Sequence, residues 1–301
     1  MSNVHDPTAV YANRRIDGLY DTIVDQALAL PDHTALAVAD YNTDFVRSVN
    51  PHTNNFSYVG ANTGREAEMI LFGQITPAVL GTKFSARGDF YAANGDENAL
   101  IDDKTRVKFA FNLCQPFSAP KQMGILFDNQ IATLNEIMDA DADELKDQGK
   151  STLIKRCTSS SVNPTDPASF HDLINIKTGP IYIVPKDSKP SPAKKSKITK
   201  RSIDSALPSD EVNETVAIQN ELSMSNEPSS PSSEPHTITT NDLYDPTILY
   251  DYGGHPFAHV NSKLRQLDMR NKDNNLVRPE EWYSTFRPGA LIMARVRPIS
   301  I

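Results

Sequence analysis

The chain has 301 residues, two cysteines, 21 prolines, a hydrophobic fraction of 39% and a formal net charge of −8. That length supports a sizeable core without disulfide or metal staples, and Cys114 and Cys157 are too far apart to form a CxxC pair, so neither a disulfide framework nor a zinc or thiol-redox motif is read. No window reaches about eighteen consecutive apolar residues, and the opening MSNVHDPTAVYANRRIDG lacks a charged segment followed by an apolar one, so no membrane partner and no secretory leader are expected.

Taken in chain order, residues 1–15 are expected to be a flexible N-terminus. Ile16, Leu19, Ile23, Ala27 and Leu30 then recur at three- and four-residue spacing before Pro31, which predicts an amphipathic helix weakened in its first turn by Gly18. Gly60 to Arg65 reads as a turn, because it lacks the GK[ST] ending with which a phosphate loop grips nucleotide and Mg²⁺. From Met69 to Leu113 the runs MILFGQI, GTKFSARGDFYA and RVKFAFNL, broken by glycines and by Asn94-Gly95, predict strands. In the last of them Val107, Phe109, Phe111 and Leu113 share one face, opposite Arg106, Lys108 and Asn112. Gln130 to Lys146 predicts a helix through Ile131, Leu134, Ile137, Met138 and Leu145. Thr158 to Ser169 reads as a Ser/Thr/Pro-rich loop, and Gly179 to Pro185 as one more strand.

No aromatic residue lies between Tyr182 and Tyr244, so residues 186–243 cannot bury enough apolar surface to offset chain entropy and are expected to form a disordered linker. Its first part is basic, from Lys186 to Arg201. After Arg201 no Lys or Arg occurs before Lys263, while acidic residues accumulate from Asp204 to Asp242. Residues 244–301 recover their aromatics, including Trp282, and end in ALIMARVRPISI, whose apolar start suits a buried strand. So short a piece is expected to dock on the main block, residues 16–185, or complete its sheet. The fold class is therefore α+β: a twisted antiparallel sheet or small β-barrel with flanking helices, interrupted by a long disordered insertion. Gly81 to Arg87 and Gly289 to Arg295 also share a spacing of glycine, large apolar residue, alanine and arginine, which would mark related strand environments.

Lys194, Lys195, Lys197, Lys200 and Arg201, led by Pro192, resemble a nuclear localisation signal, which implies a nuclear import receptor as partner and the nucleus, otherwise the cytoplasm, as location. Ser191-Pro192-Ala193-Lys194 looks like a proline-directed phosphorylation site; a phosphate on Ser191, carrying about −1.5 to −2 charges, would partly neutralise the neighbouring lysines. Lys83, Arg87, Arg106, Lys108, Arg295 and Arg297 recur on the polar faces of the predicted strands, with Phe90, Tyr91 and Trp282 nearby in sequence. Cations for phosphates and aromatics for bases are how small oligonucleotide-binding barrels hold single strands. The plainer alternative is that Lys and Arg simply occupy polar strand faces and discourage edge pairing.

His255 and His259 stand four residues apart with Asp251 nearby, but the glutamate of HExxH is missing and no metal is assigned. Asp139, Asp141 and Asp143 are spaced like the start of a calcium loop. Glu144 replaces its glycine and Lys150 its closing glutamate, so the stretch reads as a solvated helix segment or acidic loop. No nucleophile elbow or acid–base pair can be assembled, and no cofactor is expected. The chain reads as a non-enzymatic nuclear binding protein that contacts nucleic acid, single-stranded nucleic acid being one candidate, or a nucleic-acid-associated partner, through a cationic β-surface. The alternative is a self-associating scaffold whose acidic linker recruits partners; an enzyme with a nonstandard site is a third.

Overall fold

The cleanest alternation in the sequence becomes the central strand of the largest sheet. The computed structural model describes residues 7–29, 35–49, 56–91, 99–147, 149, 156–163, 166–186 and 237–297. Residues 1–185 and 239–301 form one compact unit, and the account below concerns that unit. Strands β1 (Phe45–Val49), β2 (Phe56–Gly60), β3 (Met69–Ile75), β4 (Lys108–Cys114), β5 (Thr158–Asn163), β6 (Asp166–Pro180), β7 (Tyr182–Ile183), β8 (Leu243–Tyr244), β9 (Lys263–Arg265) and β10 (Leu291–Val296) combine with helices α1 (Pro7–Ile16), α2 (Leu19–Ala29), α3 (Lys121–Asp147) and α4 (Trp282–Thr285). The fold is mixed α+β with antiparallel sheets: a five-stranded sheet ordered β10-β3-β4-β6-β5, a three-stranded sheet β7-β9-β8 and the hairpin β1-β2. Among the described residues none of these closes into a barrel, so the open-sheet form of the expectation holds and the barrel form does not.

Val107, Phe109, Phe111 and Leu113 are all buried, as one apolar face of a central strand must be. β4 pairs along its length with β6, from Lys108↔Pro180 to Cys114↔Leu173, but meets β3 only at Gln74↔Cys114 and Ile75↔Leu113. β3 diverges beyond that point. Gly73 permits the close crossing, because a Cβ there would lie 2.8 Å from Leu113 Cβ and 3.2 Å from the Cys114 carbonyl oxygen.

The inner edge of β3 is completed piecemeal. Leu36 N donates to the Ile70 carbonyl at 2.8 Å, and Phe72 bonds through both backbone groups to the side chain of Gln130 on α3. Each alternative to strand pairing satisfies groups that burial would otherwise leave orphaned. The outer edge pairs with β10, from Leu291↔Gln74 to Val296↔Met69. β10 is half-buried and lies at the margin of the sheet, not in its interior as its apolar run suggests.

α3 begins at Lys121, nine positions before its predicted start, and buries Met123, Leu126, Phe127, Gln130, Leu134, Ile137, Met138 and Asp141 along one stripe. Residues 7–15, expected within a flexible N-terminus, lie in α1, which Gly18 (φ 64°) separates from α2. Arg15 donates to the Ser118 carbonyl and Arg14 to Gln74 Oε1 at 2.9 Å, which ties α1 to the sheet. Ile16, placed on the apolar stripe by periodicity, is 81% exposed, while Ile23 and Ala27 are buried.

Three further expectations are corrected. Of the run GTKFSARGDFYA, the described residues Gly81 to Tyr91 form turns instead of a strand: Gly88 (φ 46°) redirects the chain, and a Cβ there would lie 2.3 Å from the Lys108 carbonyl oxygen. Only Lys83 pairs as a bridge, with Ala110. Thr158 to Asn163, expected within a loop, is edge strand β5, and most of the remaining stretch begins β6; a solvated edge tolerates the serines that look loop-like. Gly81 (φ 93°) and Gly289 (φ 89°) adopt the same left-handed conformation before Lys83 and Leu291 pair antiparallel, but the first segment then turns and the second continues as β10.

Candidate cationic and aromatic surface

The six predicted cations divide into two environments. Lys83 and Arg87 lie on the turn segment that runs beside the start of β4, and Arg106 lies two residues before that strand. Asp89 N donates to the Lys108 carbonyl at 2.8 Å and Lys108 N donates to Asp89 Oδ1 at 2.9 Å, which holds this segment against β4. The side chains of Lys83, Arg87 and Arg106 are exposed, and none makes an ion pair or hydrogen bond among the described residues. Lys108 is half-buried beside Asp89, whose carboxyl burial alone would raise; the Lys177 ammonium at 2.6 Å and the Lys108 amide instead hold it below the ordinary carboxylate range.

Arg295 and Arg297 stand apart from these. They lie at the far end of the β3–β10 pair, where Arg295 meets Glu68 at 3.5 Å and Arg297 meets Glu66 at 3.4 Å and Glu68 at 2.5 Å. The Arg297 hydrogen bond holds the Glu68 carboxyl below its usual value. Their positive charge is matched by local acids, and the six cations do not share one strand face.

A ladder of aromatic rings that includes Phe84, the residue after Lys83, reaches the surface. Trp282 is wholly buried and donates Nε1–H to the Val277 carbonyl at 2.9 Å, so it is a core residue and offers no face to a ligand. Trp282 meets Phe109 edge-on with centroids 5.7 Å apart, Phe109 meets Phe84 at 4.6 Å, Phe84 meets Tyr283 at 5.0 Å and Tyr283 meets Tyr250 at 4.8 Å. Tyr250 ends the ladder at 82% exposure; Tyr91 is 79% exposed and Phe90 half-buried. The Asp251 carboxylate fastens the two chain segments together, accepting from Ala86 N at 2.8 Å and from the Tyr283 hydroxyl at 2.8 Å. Burial, and then that bond to Asp251, push the Tyr283 phenol far above its ordinary value.

With Asp251 so engaged, it does not join His255 and His259. His259 Nδ1 lies 3.1 Å from the Tyr252 hydroxyl, its ring stacks parallel to Tyr252 and packs against Tyr182, and its Nε2 is buried with no hydrogen-bond partner among the described residues. Burial lowers the His259 pKa against the opposing pull of Asp103 and Asp102. Asp103 in turn accepts from the backbone amides of Val260, Asn261 and Ser262. Among the described residues no group of three or more His, Cys, Asp or Glu side chains is arranged to hold a metal ion. Burial pushes the Cys114 thiol up to about 11, away from nucleophilic reactivity.

The Asp139–Asp143 stretch lies on α3, but not all of it is solvated. Asp141 is buried and accepts from the Tyr58 hydroxyl, with Arg47 at 3.7 Å and Glu144 also bonded to Arg47. This polar knot joins the β1–β2 hairpin to α3. Desolvation raises the Asp141 pKa, opposed by the Tyr58 hydrogen bond and the Arg47 charge.

Ser191, Lys194, Lys195, Lys197, Lys200 and Arg201 lie outside the described residues. Sequence reasoning did not single out Phe84, Tyr250 or Tyr283; the signal available was the presence of four tyrosines and Trp282 between residues 244 and 283, with no periodicity to aim them. Compared with known protein families, with curated proteins and with solved structures, the chain matches none.

Proposed function

We propose that this chain is a non-enzymatic nucleic-acid-binding protein, directed to the nucleus by the Lys194–Arg201 cluster, whose folded unit contacts nucleic acid through Lys83, Arg87 and Arg106. The observation that carries the reading is the placement of three exposed, unpaired cations around a segment that also presents surface aromatics. Phosphates supply the counter-charge these side chains lack, and binding by this route weakens as salt rises. No closed oligonucleotide-binding barrel is required, because the cations sit on a connecting segment beside an open sheet.

The test is titration of fluorescent oligonucleotides into the full-length protein across a range of salt concentrations. Reversing Lys83, Arg87 and Arg106 to glutamate abolishes binding if the folded unit is the reader. If only replacing Lys194, Lys195, Lys197, Lys200 and Arg201 by glutamine abolishes it, the lysine cluster is a nonspecific tether and the folded-unit reading is lost. The scaffold reading has one observation in its favour: β10, half-buried and rich in Leu, Ile, Met and Val, is an outermost strand of the large sheet. Sedimentation at increasing concentration tests it, and a constant monomer mass removes it.

A further inference from the structure

Tyr250 combines a free ring with a fixed backbone. Leu249 before it is buried, and Asp251 after it is held by Ala86 N and the Tyr283 hydroxyl. The preceding turn, Pro246–Ile248, is capped by Asp245, which accepts from Thr247 N at 3.0 Å. Tyr283 braces one side of the Tyr250 ring at an interplanar angle of 74°, so it meets that ring edge-on and does not stack flat upon it. An exposed ring whose flanking backbone is already ordered loses little conformational freedom when something lies against it.

The same contacts tie the segment that carries Lys83 and Arg87 to the segments that carry Tyr250 and Tyr283. The Ala86–Asp251 hydrogen bond joins the backbone next to Arg87 to the backbone next to Tyr250, and the Phe84–Tyr283 contact brings in the segment bearing Lys83. Neither cation has an acidic partner among the described residues, so an anion can approach the aromatic face without displacing one. A ligand with a planar ring on an anionic backbone meets both requirements, provided that the ring is not already covered on its two faces. In a duplex, pairing and stacking cover the bases; in a single strand they are available.

We infer that Tyr250 is a base-stacking platform and that the ligand of this surface is single-stranded nucleic acid, with Lys83 and Arg87 taking the flanking phosphates. The inference rests on the nucleic-acid reading above and adds to it a strand preference and a residue that carries no charge.

The probes are an oligodeoxythymidylate of about 16 nucleotides, an abasic strand of the same length and a duplex of the same length, each titrated with full-length protein. Tyr250→Ala weakens oligodeoxythymidylate binding about 5- to 150-fold, the loss of one base–aromatic stack, and leaves the salt slope unchanged because no cation is removed. Tyr250→Trp retains binding and adds an indole emission that the oligonucleotide quenches. The wild-type protein binds the abasic strand and the duplex more weakly than the oligodeoxythymidylate. Equal affinity of Tyr250→Ala and wild type for the oligodeoxythymidylate overturns the inference, as does equal affinity of the wild type for the abasic strand. In those cases binding that still disappears in the Lys83→Glu, Arg87→Glu, Arg106→Glu protein leaves the cationic reading intact. Absence of binding to every oligonucleotide at low salt overturns both.

Discussion

The side chain of Gln130 takes the place of a neighbouring strand at Phe72. Its Oε1 accepts from Phe72 N at 2.8 Å and its Nε2 donates to the Phe72 carbonyl at 3.1 Å, at a point where β3 has left β4. Both residues are buried, so neither backbone group has water as an alternative. Gln130→Met leaves two orphaned groups and is expected to cost at least about 2 kcal/mol in urea unfolding. Gln130→Glu fares worse, because it forces a carboxylate against the Phe72 carbonyl. Hydrogen exchange at the Phe72 amide, fast in both variants, distinguishes this cause from a general loosening of α3.

Burial of Asp141, against the opposing hydrogen bond from Tyr58, makes stability depend on pH in an unusual direction for a carboxyl group. Because burial raises the Asp141 pKa in the folded protein, the folded state holds its proton when the unfolded state has lost it. The contribution of this group is therefore complete below the ordinary carboxylate pKa of about 4 and is lost as pH rises through the folded value. Asp141→Asn flattens that part of the stability profile. Tyr58→Phe removes the hydrogen bond that opposes the rise, destabilises by about 1–3 kcal/mol at neutral pH and by less in acid, and moves the Asp141 carboxyl titration further up in NMR.

His259 has the opposite sign of dependence from Asp141. Its folded pKa lies below the ordinary value, so its contribution is present above about 6.5 and is lost as pH falls through the folded value. His259→Phe keeps an aromatic ring beside Tyr252 and removes the buried, unpartnered Nε2. Melting temperatures between pH 7 and 5 decline in the wild type and decline less in this variant.

Charge neutralisation separates the cations in a binding experiment. Arg297→Ala frees Glu66 and Glu68 without exposing an anion-binding site, so oligonucleotide affinity and its salt slope stay at wild-type values. Lys83→Ala or Arg87→Ala lowers the salt slope for a single strand by about 0.7 each. Equal effects at all three positions would mean that only the protein's summed charge is felt.

Trp282 reports on folding and not on ligand. Its burial and its bond to the Val277 carbonyl give a native emission that shifts red on unfolding and is not quenched by oligonucleotide. Trp282→Ala costs about 3–5 kcal/mol through the cavity it leaves beneath Phe109.

The parts of the fold legible in the sequence are those where one physical signal dominates. Val107 to Leu113 alternate because one face of β4 is core, and Met69 to Ile75 are apolar except at Gln74 because β3 is covered on both faces. The start of α3 lies outside the stretch read as helical from Gln130, although Met123, Leu126 and Phe127 extend the same buried stripe. β5 was obscured because an edge strand rich in serine has the composition of a loop. The aromatic surface was least legible: Tyr250 owes its position to hydrogen bonds between residues far apart in sequence, such as Ala86 with Asp251, and no local pattern encodes such a bond. Trp282, prominent as the only tryptophan, was drawn toward the ligand by its residue type, whereas packing placed it in the core.

Because β3 finds its outer partner in β10, the large sheet stays unfinished during most of translation. Glu68 and Arg297, which face each other across the end of that pair, are 229 residues apart. A ribosome adding about 5–20 residues per second takes roughly 10–45 s to cover that separation. Throughout that interval the outer edge of β3, an apolar strand, is open to pairing with any other extended chain. The nascent protein should therefore depend on chaperones that bind exposed strand edges, and its yield should fall when they are depleted.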